Sequence, residues 1–483
     1  MFKYSLDNKM YHTLNYELTT KFKTRVFKVS LNGGFSCPNF KNGRGCIFCS
    51  QKGSGDFAGD KNDDLKTQFN KVKEKLNNKW PDTKYIAYFQ ANTNTYAPVS
   101  VLKKKFEEVL NFKNVVGISI GTRPDAISDE CLEYLSNLNK RTYLTVELGL
   151  QSMHDETLKL INRGHDLACF DKCVKRLREK NINVVVHIIN GLPYETHDMM
   201  MDTIRHINKL KVQGIKIHML HVLKNTPLEK YYYETNFHLL TNEEYVKIVC
   251  DQIEELDERI VIHRLTGDGA KNDLIAPLWT LKKVSVLNDI DKELDKRCTY
   301  QGFNKSILNR VKLICQRFIK KGDITVDATC GNGNDTLMLS LLSKKVYAFD
   351  IQKEAIEKTN DLLKKNDVKN VTLIHDSNEL IDKYLNDYKG KISLVIYNLG
   401  YLPNGNKKIT TNHKATLTSI KKAFNMLNNK GIILVVFYPH EEGKKEKEVV
   451  LDYLNKNDIK YIKYTNTDNI NAPFLIEIRK KIT

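Results

Sequence analysis

The chain has 483 residues, 41% hydrophobic and 28% charged. It is long enough for two or three domains with their own cores and too apolar for a disordered or fibrous protein. Its 76 Lys and Arg against 58 Asp and Glu leave a formal charge of +18, which favours a polyanionic partner such as a nucleic acid, while a compositional bias towards Lys, Asn and Ile gives the same sign.

The opening MFKYSLDNKM has charges with no apolar core behind them, so no secretory leader is expected. Apolar stretches such as 431–438 are too short to cross a bilayer. The expectation is a cytoplasmic protein whose ten cysteines stay reduced, as metal ligands or core packing.

Apolar runs at 25–31, 85–90, 115–121, 143–150, 184–190 and 215–222 alternate with amphipathic stretches such as 101–112 and 198–210. Strands alternating with helices predict an α/β fold with a parallel sheet. Six such units, with a late strand near 261–265, predict a partial TIM-type (β/α)6 barrel. After a charged, weakly periodic stretch at 289–305, a second series begins. Its runs at 324–328, 346–349, 371–374, 394–397, 432–438, 461–464 and 474–478 predict a doubly wound, seven-stranded Rossmann-like domain. Two domains are expected, 1–300 and 301–483, with no short-period repeat.

Just after the first strand, SCPNFKNGRGCIFC places Cys37, Cys46 and Cys49 in a loop rich in Gly, Asn and Pro, able to wrap a cluster closely. Three thiolates can hold three irons of a 4Fe–4S cluster and leave the fourth open to a small ligand. Structural zinc competes, but it usually takes four ligands, and no neighbouring His completes a set. Cys169 and Cys173, four apart on a predicted helix, read as packing.

Further polar strings follow the predicted strands: YFQANTNTY at 88–96, ELGLQS at 147–152, NRGH at 162–165 and HIINGLP at 187–193. In barrel enzymes that edge carries the chemistry. Each residue alone has a plainer reading: Glu147 can pair with a Lys, and His187 can be a satisfied core histidine.

In the second half, DATCGNGN at 327–334 closes a strand and opens a helix, and Gly331 and Gly333 allow a tight turn with close backbone approach to a cofactor. A dinucleotide is the rival to S-adenosylmethionine, but the third glycine is missing. Asp350 ends the next strand, placed for ribose hydroxyls, and Asp376 ends the third, near an adenine edge. The fourth strand ends in Asn398, Leu399, Gly400 and Tyr401. Asn398 and Tyr401 match the ends of the Asn/Asp-Pro-Pro-aromatic motif of amine-directed methyltransferases; Leu399 and Gly400 depart from its middle. The chemistry requires an acceptor there, because a target nitrogen must aim a lone pair at the methyl group. His440, in a loop at 438–443, is a candidate proton acceptor or an exposed histidine.

The cysteine loop resembles the radical S-adenosylmethionine branch that includes the Elongator catalytic subunit, whose cysteine loops are elongated. Phe48 supplies the aromatic usual before the last ligand. Residues 1–300 look like the YtqA-like (MnmL-like) radical proteins, carried by YFQANTNTYAP, ELGLQS, HIINGLPYET, HMLHVLKNTPLE and HRLTGDG. Residues from about 305 resemble the YtqB-like (MnmM-like) methyltransferases, carried by DATCGNGNDT, FDIQ, NLGYLPNGNK, YPHEEG and NAPFLI. The resemblance implies a 4Fe–4S cluster on the three cysteines and one S-adenosylmethionine site in each domain. Gln90 and Asn92 would stand near the first cofactor's amine, and Glu147 and Gln151 on its ribose and substrate side. Asp327 would stand near the second cofactor's amine, with Gly331, Asn332, Gly333, Asn334, Asp335, Asp350, Gln352 and Asp376 around the rest. Asn398, Tyr401 and His440 would serve catalysis. The implied partners are tRNA and a reductant such as flavodoxin or ferredoxin. The implied reaction converts 5-carboxymethylaminomethyluridine at the wobble position to 5-aminomethyluridine and then N-methylates the amine. Other readings are fusion to an rRNA base methyltransferase, or an iron–sulfur protein that binds RNA without turnover.

Overall fold

Short runs of β-branched and aliphatic residues separated by capped amphipathic helices set the architecture, seen in a computed structural model. It describes residues 2–41, 45–50, 58–77, 80, 82–267, 269, 271–400, 412–465 and 473–480. The chain divides into two compact units, Met1–Gly302 and Phe303–Thr483.

In the first unit the strands are β1 Val26–Leu31, β2 Lys84–Phe89, β3 Val115–Thr122, β4 Tyr143–Gln151, β5 Asn183–Asn190, β6 Gly214–Met219, β7 Val222–Leu223, β8 Val261–Arg264 and β9 Leu274–Ala276. Seven of them form one parallel sheet in the order β1-β2-β3-β4-β5-β6-β8, while β7 and β9 pair separately and antiparallel. The late strand thus joins a curled half-barrel beside β6. The run expected at 215–222 breaks after Met219, so its end leaves the main sheet.

Side chains alternate across each strand. Val146 and Leu148, Val186 and Ile188, and Ile215 and Ile217 are buried in the apolar core. That core also holds Phe170, Val174 and Leu177 from the helix Leu167–Glu179. The alternate positions, Glu147, His187 and Lys216, line a cavity inside the barrel. Ser128, Asp166 and Thr196 cap their helices through side-chain oxygens, and Thr241 with Glu244 forms a capping box.

The second unit contains β10 Ile324–Asp327, β11 Lys345–Asp350, β12 Val371–His375, β13 Ile392–Leu399, β14 Leu427–Phe437, β15 Tyr461–Thr465 and β16 Phe474–Arg479. Their order is β12-β11-β10-β13-β14-β16-β15, with β16 antiparallel to both neighbours. The order reverses at β10, so the carboxyl ends of β10 and β13 open a crevice suited to a ligand. No helix among the described residues is long and apolar enough to cross a membrane.

Candidate active sites

The half-barrel encloses a cavity of about 710 Å³, and Cys37, Cys46, Phe48, Cys49, Gln90, Asn92, Glu147 and Gln151 all line it. The structure therefore brings together the three cysteines and the first-domain residues expected around the first cofactor. The cysteine loop is braced from the turn after β4. Asn39 Nδ2 donates to the Asn162 carbonyl at 2.7 Å, and Asn162 Nδ2 donates to the Gly45 carbonyl at 2.6 Å. Gly45 has φ +63°, and a Cβ there would meet the Phe40 ring at 2.9 Å, so a side chain would break the loop's close path.

Arg163, anchored on the Gly149 carbonyl at 2.7 Å, points Nη1 at Cys46 Sγ from 3.6 Å, and Asn39 Nδ2 does so from 3.5 Å. A hydrogen bond from Cys49 and the charges of Arg163 and Arg123 push the Cys46 thiol well below its usual range despite burial. Such a sulfur is ready to act as a thiolate ligand. Among the described residues no three His, Cys, Asp or Glu side chains converge on one ion's position. Three thiols in one loop suit a cluster in which each sulfur takes its own iron, whereas a closed structural zinc site takes four ligands.

Deeper in the cavity, Glu147 is 1% exposed. Its carboxylate accepts from Lys28 Nζ at 2.6 Å, Ser119 Oγ at 2.7 Å, Lys216 Nζ at 2.6 Å and His187 Nε2 at 2.8 Å. Burial alone would push this carboxyl up; Lys216 and Lys28 outweigh it and hold it well below the usual range. Glu147 is thus engaged by four protein donors and forms a buried charge centre on the cavity wall. Burial, then Lys216, takes His187 down to about 4, and burial takes Lys216 to about 8. His187 is therefore neutral at pH 7. Lys28, Ser119 and Lys216 escaped the sequence reading, although a Lys in the middle of a doubly buried strand is the signal that could have found the two lysines.

The second unit has a cavity of about 620 Å³ lined by Gly331, Asn332, Asn334, Asp335, Asp350, Gln352, Asp376 and Asn398. Gly331 has φ +51°, and its N–H donates to Asp350 at 3.0 Å. The other Asp350 oxygen accepts from the Gln352 N–H at 2.9 Å. Asp376 accepts from the Ser377 N–H and from the Tyr384 hydroxyl, both at 2.8 Å.

Three expected residues take other parts. Asp327 is fully buried and does not line the cavity. It accepts from the Thr336 hydroxyl at 2.6 Å and the Thr329 N–H at 3.2 Å, so it shapes the loop from behind. Gly333 has φ +82° and a Cβ there would lie 3.0 Å from Thr359, so it serves the turn and the packing of the next helix. His440 caps the helix Glu441–Lys456: Nδ1 accepts from the Gly443 N–H at 2.9 Å, and Nε2 faces the Leu399 carbonyl at 3.3 Å. Both ring nitrogens thus meet backbone groups, and the residue serves as the helix cap. Tyr401 lies outside the described residues.

Asn398 is anchored at both ends. Its N–H donates to Thr329 Oγ1 at 2.7 Å, and its Nδ2 donates to Asp335 at 3.1 Å. Because the amide nitrogen faces a carboxylate, the amide orientation is fixed. Its Oδ1 is buried with no partner among the described residues.

Three family models match stretches of the chain. The Radical SAM superfamily matches residues 38–207, the Radical_SAM C-terminal domain matches 212–296, and the rRNA methylase family matches 346–479. The Bacillus subtilis protein YtqA is 53% identical over 305 residues, covering 62% of this chain and 94% of that protein. The chloroplastic tRNA (mnm(5)s(2)U34)-methyltransferase of Arabidopsis thaliana is 41% identical over 155 residues, covering 29% of this chain and 55% of that protein. A Streptococcus mutans protein solved in complex with SAH is 37% identical, covering 36% of this chain and 96% of that one, with a TM-score of 0.33. Radical SAM membership implies a 4Fe–4S cluster and S-adenosylmethionine, and a methyltransferase domain implies S-adenosylmethionine again. The chain belongs to the YtqA-like radical S-adenosylmethionine enzymes and carries a methyltransferase domain fused behind the barrel.

Proposed function

We propose that the chain modifies the wobble uridine of tRNA in two steps. The first unit converts 5-carboxymethylaminomethyluridine to 5-aminomethyluridine, and the second methylates the exposed amine. The observation that carries this reading is Asn398 Oδ1, a buried oxygen in want of a donor beside Asp335 in the second cavity. An amine N–H supplies that donor. The likeness to a plant tRNA methyltransferase named for this nucleoside supports the same substrate.

A cluster held by Cys37, Cys46 and Cys49 would supply one-electron reduction of S-adenosylmethionine, the radical source that cleavage at an unactivated carbon demands. The residues around it hold and orient: Asn39 and Arg163 donate towards Cys46, and Gln90, Asn92 and Gln151 line the rim of the cavity. In the second unit, Gly331 and Asp350 fix the loop against a cofactor, and Asp335 offers a negative partner to a cationic group. An alkyl amine has a pKa near ~10, so only about 0.1% is neutral at pH 7. A desolvated pocket lowers that pKa. Asn398 Oδ1 then accepts one N–H and turns the lone pair towards the methyl donor.

Nucleoside mass spectrometry of tRNA from a deletion strain tests the reading: 5-carboxymethylaminomethyluridine should accumulate, and the chain supplied in trans should restore the methylated product. The rRNA methylase match favours a second reading, methylation of an rRNA base. The same measurement on rRNA decides it, since loss of a methylated rRNA base with unchanged tRNA would replace the first reading.

A further inference from the structure

Two tyrosines stand together where the half-barrel opens. The segment 191–196 follows the carboxyl end of β5, on the sheet edge from which the cysteine loop leaves β1. Tyr194 in that segment is 63% exposed and has φ +64°. Most of the non-glycine residues with left-handed backbone among the described residues are Asn or Asp, and Tyr194 is the one aromatic among them. A bulky residue in that region carries strain that Asn or Gly avoids. Burial does not offset the strain here, since most of the residue faces solvent.

Tyr231 stands beside it and donates its hydroxyl to Tyr194 Oη at 3.4 Å. The Tyr231 ring is held from behind. It lies on the helix Pro227–Thr235, packs against the apolar cluster of Leu192, Leu220 and Phe237, and has its centroid 6.1 Å from that of Phe237. Phe48 and Ile189 pack against the same cluster and, with Leu220, line the first cavity. The Leu228 N–H, three residues before Tyr231, donates to the Ile47 carbonyl at 2.9 Å. Three residues of helix rise about 4.5 Å, so Tyr231 stands about one helical turn from the loop that carries Cys46 and Cys49. The acidic neighbours are turned to local partners. Glu195 accepts from Ser152 Oγ, Glu229 from the Asn225 N–H at 2.7 Å, and Glu234 pairs with Lys230 at 3.6 Å.

We propose that Tyr194, supported by Tyr231, stacks on an unpaired RNA base next to the one that enters the first cavity. The inference rests on the wobble-uridine reading, in which that base is a neighbour of the modified uridine in the anticodon loop. A base drawn out of a single-stranded loop leaves its neighbours without a stacking partner, and an aromatic ring takes its place. Every base has a π face, so the ring positions the loop without reading its sequence. The residues after Tyr194, namely Glu195, Thr196 and His197, are polar, which suits one stacked ring better than the face of a docked protein.

The test uses the full-length enzyme and an anticodon stem-loop RNA in a filter-binding assay. Tyr194→Gly should weaken binding at least about fivefold. Tyr194→Phe, which keeps the ring, should bind within about twofold of wild type. Glycine takes left-handed backbone freely, so the Gly variant should melt no lower than wild type. Its log–log salt slope should match wild type, because stacking releases no counterions. Stem-loops with an abasic nucleotide on one side of the wobble uridine, then on the other, complete a double-mutant cycle. At one of the two positions, loss of base and ring together should weaken binding no more than either loss alone. Additive losses at both positions overturn the proposal. So does a Gly variant that binds within about twofold of wild type, or a Phe variant as weak as the Gly one. A cycle that behaves as expected, in an enzyme that forms no 5-aminomethyluridine in tRNA, keeps the stacking site and sinks the wobble reading instead.

Discussion

Replacing Asn398 by Ala separates catalysis from folding more cleanly than any other substitution in the second unit. The backbone N–H bond to Thr329 survives, because it does not involve the side chain. The side chain loses one hydrogen bond to the Asp335 carboxylate at 3.1 Å, worth about 1.5–3 kcal/mol for a charged acceptor. It also removes a buried oxygen with no partner among the described residues, whose burial costs about 1–3 kcal/mol. The two effects offset, so the net stability change should lie within about 1 kcal/mol, a shift of roughly 2–4 °C in melting temperature. The methyl-transfer step has no such offset. Losing one oriented acceptor in the transition state costs on the order of 3 kcal/mol, about a hundredfold in rate. Calorimetric melting and single-turnover methylation of tRNA bearing 5-aminomethyluridine measure the two halves. In cells the variant should accumulate 5-aminomethyluridine, because the first step still runs. A wild-type methylation rate would refute the assignment of the amine to Asn398. A large melting loss with a proportionate rate loss would make the residue structural.

Replacing Cys37, Cys46 or Cys49 with Ala should abolish reductive cleavage of S-adenosylmethionine, assayed as 5′-deoxyadenosine, while methylation of pre-formed 5-aminomethyluridine tRNA continues; full cleavage in any variant removes that residue from the ligand set. Asp335→Ala should weaken S-adenosylmethionine binding to the second unit more than Asp327→Asn does, because only Asp335 faces the cavity; calorimetry showing the reverse order would restore Asp327 to the cofactor. Glu147→Ala should destabilise the first unit by about 3–5 kcal/mol by stranding Lys28 and Lys216. Because the Glu147 carboxyl is held below its usual value, its contribution is full above the unfolded pKa and fades as acid takes the pH down through the folded one. Acid melting curves for wild type and Glu147→Ala should therefore converge at low pH, and curves that stay parallel would reject that accounting. Affinity for tRNA should fall with salt at a log–log slope of roughly −0.7 to −0.9 per phosphate contact, and a flat dependence would make the +18 charge a matter of composition alone.

The strand sequence was legible because each strand is short, apolar and separated from the next by a capped helix or a glycine turn. The cysteine loop and the turn at Gly331 were legible because a cofactor needs particular residue types at close spacing. What sequence spacing hides is which way a polar side chain turns. Asp327 ends its strand as a cofactor-binding acid would, yet Thr336 and the Thr329 N–H take both its oxygens. His440 opens a polar loop as a base would, yet the first turn of a helix has open N–H groups and claims its Nδ1. Lys28 and Lys216 hid for the opposite reason. They stand in runs that read as apolar strands, and only closure of the sheet brings them onto one carboxylate contributed by a third strand, 119 residues from Lys28.

The two cavities are lined by opposite charges among the described residues. Lys28, Arg123, Arg163, Lys216 and Arg264 line the first against Glu147. Asp335, Asp350, Asp376 and Glu379 line the second, with no Lys, Arg or His among the described residues around it. On the proposed reading, a carboxylate gains in the first cavity and loses in the second, and an ammonium does the reverse. Coulomb energy at an effective dielectric of about 20 reaches roughly 4 kcal/mol for unit charges 4 Å apart. In the proposed first step the arm goes from a zwitterion, a carboxylate beyond a secondary ammonium, to a cationic amine, so the acidic second cavity attracts the intermediate more than the starting arm. In that reading, placing both sites in one polypeptide keeps the released intermediate at high effective concentration near a site that attracts it.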